Sequence, residues 1–264
     1  MATTILDAAK SPFDSWALDV FYRGFFEDPI LREFYGGSGY ANLGYWDSST
    51  ETAVEACDRL VDRLVDLLGH TNGSVLDVAC GVGATTRRLL THFDADEVSA
   101  INISPPQIAE ARKRAPGASF YRMDAAAMEF PDSYFDHVVC VEAAFHFRTR
   151  RRFLEEAFRV LKPGGSIAVS DLLMLRGAPT IPWANYLPDL GAYEDLLAGI
   201  GFERVHVEPA LEETWEGFRK RFTRFISANS SRNGWAISSR DRFFTNVTLA
   251  AMIRNALLAS AQKP

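Results

Sequence analysis

The sequence predicts an α/β fold with a doubly wound, mostly parallel sheet covered by helices on both faces. Short apolar, β-branched runs alternate with helical patterns through the middle of the chain, and the connections between them are short. The composition agrees: 264 residues, 47% hydrophobic and 23% charged, suit a folded chain with a sizeable core and argue against disorder or low-complexity fibres. Alternation of this kind implies right-handed crossovers, with ligands at the carboxyl ends of the strands.

The first confident helix runs from Thr50 to Leu68, with Ala53, Cys57, Leu60, Leu64 and Leu67 on one face. Ser48 and Glu51 are spaced as its capping box and Gly69 as its stop. After a turn at His70 to Gly73, Ser74 to Val78 reads as a buried strand. Further strands are expected at Val98 to Ile103, Ala118 to Met123, Phe135 to Val141 and Ser166 to Leu172. Helical patterns separate them at Ala84 to Phe93, Pro105 to Ala115 and Arg150 to Leu161. Later, Leu190 to Ile200 reads as helix and Phe202 to Glu208 as strand. Glu213 to Ser227 and Arg240 to Ile253 read as helices, and Leu257 to Ala261 as a late strand.

The N-terminal piece is different. About a third of the 19 Phe, 8 Tyr and 5 Trp lie between Phe13 and Trp46. Aromatic residues at helical spacing ordinarily face a core; the sharper reading is a lid over an apolar pocket. The chain thus divides into an aromatic-rich helical lid (1–46), a ligand-binding core (47–209) and a helical cap with the last strand (210–264), the cap belonging to the same domain.

Charge and cysteine usage narrow the function. The net charge of -6 disfavours nucleic acid, whose phosphates call for basic excess. The runs Arg148 to Arg152 and Arg219 to Arg221 sit on predicted helices with intact apolar faces and read as solvated surfaces. Cys57, Cys80 and Cys140 are odd in number and lack metal-ligand spacing, so neither a disulfide framework nor a metal site is expected. No apolar run approaches a membrane span and no secretory signal is apparent, so the expected location is cytoplasmic.

The most informative stretch is Val75 to Gly83, a strand entering a small-residue turn and then a helix. Small residues let the backbone approach a ligand closely. The stretch lacks the three-glycine pyrophosphate fingerprint and a Lys-Ser/Thr phosphate loop, which disfavours a nicotinamide oxidoreductase. Asp77, a carboxylate inside the strand, suits a cationic amine better than a polyphosphate.

Taken together, Asp77 to Gly83, Val98 to Gln107, Met123 to Ala125, Glu142 to Phe147 and Arg159 to Gly165 resemble the class I S-adenosylmethionine-dependent methyltransferases. Among these, the chain is most similar to small-molecule enzymes of the sterol, quinone, sarcosine and natural-product tailoring type, which share an aromatic segment like Tyr40 to Trp46. The resemblance covers Tyr40 to Glu208 and implies a seven-stranded, Rossmann-like sheet.

It also implies roles. Asp77 and the turn Ala79, Gly81 and Gly83 would hold the aminocarboxypropyl part of S-adenosylmethionine, with Tyr40 beside them. Asn102 stands where most relatives carry an acidic ribose ligand, a departure because an amide offers one acceptor and one donor group. Gln107 would supply a second ribose contact, although Ser104, Pro105 and Gln107 also read as a helix start with a capping box. Asp124 would accept from the adenine amino group with the Ala125 backbone beside it, and Ile103 is a further cofactor-binding candidate. Ala79 replaces a family glycine and adds only a methyl group, which is expected to be tolerated.

His146 is the candidate general base, because a neutral imidazole accepts protons near neutral pH; Glu142 is its rival. The acceptor pocket is expected between Tyr22, Phe25, Phe26, Tyr45 and Trp46 on one side and Trp215, Phe218 and Phe222 on the other. The expected activity is methyl transfer to a small apolar or aromatic acceptor, with oxygen favoured and S-adenosylhomocysteine as product. C-methylation of an isoprenoid alkene and a non-catalytic scaffold are the alternatives, and a homo-oligomer is compatible with the sequence.

Overall fold

The computed structural model describes residues 20, 22–176, 181–229 and 252–264. Seven strands form one sheet: β1 (Val75–Val78), β2 (Val98–Asn102), β3 (Ser119–Arg122), β4 (Phe135–Val141), β5 (Leu161–Met174), β6 (Glu203–Pro209) and β7 (Ile253–Gln262). Their spatial order is β3-β2-β1-β4-β5-β7-β6. Strand β1 pairs in parallel with β2 and β4, β2 with β3, and β4 with β5. Strand β7 runs antiparallel between β5 and β6, so the late strand is longer than Leu257 to Ala261 and is integral to the sheet. From β1 the chain steps outward to β2 and β3, then returns to β4 on the other side. The crevice at this reversal, above the carboxyl ends of the strands, is where ligands bind in such sheets.

The sheet separates two cores, and the pleat decides which residue enters which. In β4, Val138 and Cys140 join one core while Val139 faces the other; in β5, Ile167 and Val169 oppose Ala168 in the same way. This period of two follows from side chains alternating across a strand. Helices α5 (Arg150–Val160) and α6 (Leu190–Ile200) fill the first core through Phe153, Leu154, Tyr193 and Leu196. Helix α2 (Ala53–Leu68) fills the second with Ala56, Leu60, Val61 and Leu64, each fully buried. Each of the larger side chains, Leu60, Val61 and Leu64, contributes about 1.5–3 kcal/mol on burial, so this stripe anchors the N-terminal third to the sheet.

Helix α2 begins later than its expected start at Thr50. Its capping box is formed by Thr52 and Glu55 instead of Ser48 and Glu51. Its stop at Gly69 (φ 84°) is as expected. Helix α3 (Ala84–Leu89) ends short of Phe93. Helix α4 (Pro105–Arg114) starts after Ser104, but Ser104 makes no capping bond, so the capping box with Gln107 does not form. Residues 22–27 are helical and are followed by α1 (Pro29–Phe34), capped by the Asp28 carboxylate on the N–H groups of Ile30 and Leu31. Glu212–Glu216 form a π-turn that leads into α7 (Gly217–Asn229). Most of the helix expected from Arg240 to Ile253, together with Phe13, Trp16 and Phe21, lies outside the described residues.

The basic run at α5 departs from a solvated face at one position. Arg150 is only 2% exposed, and its Nε donates to Asp171, itself fully buried in β5, at 2.6 Å. Cys57, Cys80 and Cys140 are all free and buried. Among the described residues no helix is long and apolar enough to cross a membrane.

Candidate active site

A cavity opens across the carboxyl ends of β3, β2, β1 and β4, and each of these ends contributes to its wall. Over β1 the wall is the turn carrying Ala79, Cys80 and Gly81. The turn is tight: Ala79, Gly81 and Gly83 have φ of 61°, 54° and 86°. Glycine occupies such left-handed backbone without strain, whereas Ala79 bears a cost of roughly 1–2 kcal/mol for its methyl group. Gly83 is away from the cavity and its role is packing. A Cβ there would meet Ala111 Cα at 2.8 Å, so glycine lets α3 and α4 lie close together.

Asp77 also departs from expectation, because it does not line the cavity. It is 1% exposed and accepts a hydrogen bond from Thr86 Oγ1 at 2.6 Å, on the first turns of α3. Burial pushes its carboxyl up to about 7, with the Thr86 hydroxyl opposing the rise. Asp77 thus braces the start of α3 behind the turn.

Beyond β2, Asn102, Ile103, Ser104 and Gln107 line the cavity. Asn102 Nδ2 donates to Gln107 Oε1 at 2.7 Å and to the Gly81 carbonyl at 3.4 Å, tying β2 to both α4 and the turn over β1. Beyond β3, Asp124 and Ala125 complete that end, and the Asp124 carboxylate holds its own turn by accepting from the Ala126 N–H at 2.9 Å.

The β4 end is chemically different. Glu142 follows the strand in left-handed backbone (φ 47°) and is 8% exposed. Its Oε2 accepts from the Leu43 N–H at 2.8 Å, clamping the segment that carries Tyr40, Ala41 and Asn42 over the cavity. Burial pushes the Glu142 carboxyl up to about 8, and the Leu43 N–H opposes this. Tyr40 lines the cavity, and its hydroxyl donates to Asp58 on α2 at 2.5 Å.

His146 sits four residues past Glu142 in a single 3₁₀ turn, Ala144–His146, on the cavity wall. Its ring lies edge-on to Tyr22 (centroids 6.3 Å) and against Phe145 (4.2 Å). Tyr22, Phe26, Phe147 and Arg148 continue this end. Burial, with Glu142 nearby, pushes the Tyr22 phenol up to about 12, so it stays neutral.

Five of the eight residues expected in the acceptor pocket are elsewhere for a common reason, and a sixth flanks it. Phe34 on α1 meets Trp46, Phe218 and Phe222 with ring centroids 6.3, 5.7 and 4.9 Å away. Trp215 stacks on Phe218 at 6.0 Å. Phe25 packs on Tyr35 at 5.8 Å, and Tyr45 lies under the Arg63 guanidinium at 5.7 Å. The C-terminal aromatic residues form a core between α1 and α7 instead of a ligand wall, leaving Tyr22 and Phe26 in the cavity, with Phe25 on the neighbouring groove.

The sequence points to Ser104 only as a helix start, yet it lines the cavity. Ser104 Oγ and Glu142 Oε1 are buried there without a hydrogen-bond partner among the described residues. Leaving such atoms unmet costs roughly 1–3 kcal/mol each, so they mark where a ligand with polar groups belongs.

The model of a methyltransferase domain matches residues 76–169, which run from β1 into β5 and carry most of the cavity wall. The chain is 37% identical over 153 residues to the 27-O-demethylrifamycin SV methyltransferase of Amycolatopsis mediterranei, a match covering 55% of each protein. It is 32% identical over 233 residues to the erythromycin 3''-O-methyltransferase of Saccharopolyspora erythraea, covering 74% of this chain and 76% of that one. The chain belongs to the S-adenosylmethionine-dependent methyltransferase family. Its fold is also that of the cyclopropane synthase MmaA2 from Mycobacterium tuberculosis, with a TM-score of 0.68 at 19% identity over 90% of this chain and 94% of that one.

The donor set of this methyltransferase fits its cofactor. Side-chain amides, a carboxylate and a hydroxyl gather at the β2 and β3 ends, suited to a nucleoside, and small residues line the turn over β1. The buried Glu142 oxygen belongs to the β4 end of the cavity, whose wall also includes His146.

Proposed function

We propose that this methyltransferase transfers a methyl group to a hydroxyl oxygen on a small, largely apolar acceptor in natural-product tailoring. The observation that carries the reading is the two-ended cavity: Asn102, Gln107 and Asp124 at one end, His146 among Tyr22, Phe26 and Phe147 at the other. The named activities of relatives such as the erythromycin 3''-O-methyltransferase support oxygen as the acceptor atom.

S-adenosylmethionine supplies an electrophilic methyl group on its sulfonium sulfur when bound. Asn102, Gln107 and Ser104 would hold its ribose, Asp124 and Ala125 its adenine, and the Ala79 to Gly81 turn its aminocarboxypropyl part. Tyr40 and the segment clamped at Leu43 would cover it and exclude water. His146 takes the proton from the acceptor hydroxyl, while Tyr22 and Phe26 position an apolar body beside it. Placement supplies the larger share of the rate, roughly 7–11 kcal/mol, and the base adds a factor of roughly 10²–10⁴. The three free, buried cysteines suit a reducing cytoplasm.

The test is a turnover screen of alcohols and phenols of polyketide and aromatic type, followed by His146→Ala on the acceptor found. The variant is expected to lose about 10²–10⁴ in kcat and the limb of the pH profile that rises as the imidazole loses its proton. Cofactor affinity should be nearly unchanged. Wild-type kcat and pH profile in His146→Ala would leave the histidine a loop brace only.

A further inference from the structure

The turn that carries His146 is held by a residue remote in sequence. Asn185 is 3% exposed, and its Nδ2 donates to the Phe145 carbonyl at 3.0 Å and to the Phe147 carbonyl at 2.7 Å. These carbonyls flank His146 on either side. A turn of three residues does not continue into further turns of its own that would satisfy them, and buried carbonyls require donors. Asn185 supplies two donors from one planar amide, which sets both the distance and the angle between the flanking peptides.

The amide is itself fixed at its other edge. Asn185 Oδ1 accepts from the Arg150 backbone N–H at 2.6 Å, and the Asn185 carbonyl accepts from the Arg150 guanidinium. That guanidinium donates to Asp171 Oδ2 at 2.6 Å and to the Leu172 carbonyl at 3.2 Å, both on β5. A chain of buried bonds therefore runs from the central sheet through Arg150 and Asn185 to the histidine turn. Asn185 is not on the cavity wall and touches no part of a ligand there.

We infer that Asn185 is a positioning residue for His146, fixing the turn Ala144–His146 against the sheet so that the imidazole faces the acceptor. This rests on the reading of His146 as base. A base acts only within hydrogen-bond reach of its proton, and displacement by about 1 Å can cost roughly a hundredfold in rate.

The test uses the full chain saturated with S-adenosylhomocysteine and labelled in its histidine rings. His70, His92, His137 and His206 serve as internal references, and His146→Gln assigns the remaining ring signals. Asn185→Asp keeps the oxygen that accepts from Arg150 and loses both donations to Phe145 and Phe147. Asn185→Ala loses all three side-chain bonds, so a folding failure in one variant still leaves the other. Both should bind S-adenosylhomocysteine within a few-fold of wild type and shift or broaden the His146 signals alone. On the acceptor found by the screen, kcat should fall about 10–100-fold with KM for the cofactor unchanged.

A folded variant with wild-type His146 signals overturns the inference, whatever its turnover. If the signals move but His146→Ala is fully active, the positioning stands and the base reading fails.

Discussion

Asn102 donates its side-chain amide to Gln107 Oε1 at 2.7 Å, so two residues expected to meet the ribose separately form one unit at the end of β2. Asn102 Oδ1 is taken by the Ile103 N–H at 2.9 Å, and Gln107, whose Oε1 is engaged by Asn102, still has its amide hydrogens to donate. Asn102→Asp replaces the donor by a second acceptor, and Gln107 can answer by turning its own amide to donate. S-adenosylhomocysteine affinity, measured by calorimetry, is expected within tenfold of wild type, about 1.4 kcal/mol. Gln107→Leu removes the shorter of the two bonds that the Asn102 amide donates and should weaken binding by about 1–2 kcal/mol. Wild-type affinity in Gln107→Leu would show that the ribose is held elsewhere.

Because Asp77 reaches Thr86 and not the cavity, its charge should matter less to binding than its oxygen. Asp77→Asn retains an acceptor for the Thr86 hydroxyl and is expected to keep S-adenosylmethionine affinity within tenfold. Asp77→Ala and Thr86→Val break the brace and should each destabilise the protein by about 1–3 kcal/mol, read from urea unfolding. A loss of more than a hundredfold in affinity for Asp77→Asn alone would restore a direct ion pair with the cofactor amine.

Glu142 makes stability depend on pH with a definite sign. Its folded-state carboxyl is pushed up to about 8, above its value of about 4.3 in an unfolded chain. Between these values the unfolded chain ionises while the folded protein keeps the proton, so rising pH favours unfolding. Glu142→Gln keeps an oxygen for the Leu43 N–H but carries no charge. The wild type is therefore expected to lose stability relative to this variant from about pH 4.5 to about 8, with no further difference above that. A pH-independent difference across that range would contradict the burial of the carboxylate.

The aromatic knot around Phe34 predicts a separation of stability from catalysis. Phe34→Ala removes the ring that meets Trp46, Phe218, Phe222 and Phe225 and should cost about 3 kcal/mol. Phe218→Ala should lower the melting temperature without raising KM for the acceptor. Tyr22→Ala and Phe26→Ala, on the cavity wall, should raise that KM instead. An acceptor KM that moves with Phe218 would return α7 to the pocket.

The sequence by itself determined the alternation of strands and helices, the parallel sheet and the turn over β1, because those depend on local periodicity and on small residues within one short stretch. It also led to Asn102, Gln107, Asp124, Glu142 and His146, which all line the cavity, since each lies at or within a few residues of a strand's carboxyl end and those ends of a parallel sheet converge on one crevice. Only the tertiary structure decided which aromatic residues face a ligand. Phe218 and Phe222 carry the same helical spacing whether they meet Phe34 or an acceptor, and that partner lies nearly two hundred residues away. It likewise decided that Asp77 turns to Thr86, that Arg150 is buried against Asp171 and that Asn185 holds the histidine turn. A hydrogen bond needs two groups within about 3 Å, and chain separations of 9, 21 and 38 residues leave no periodic trace of which groups will meet.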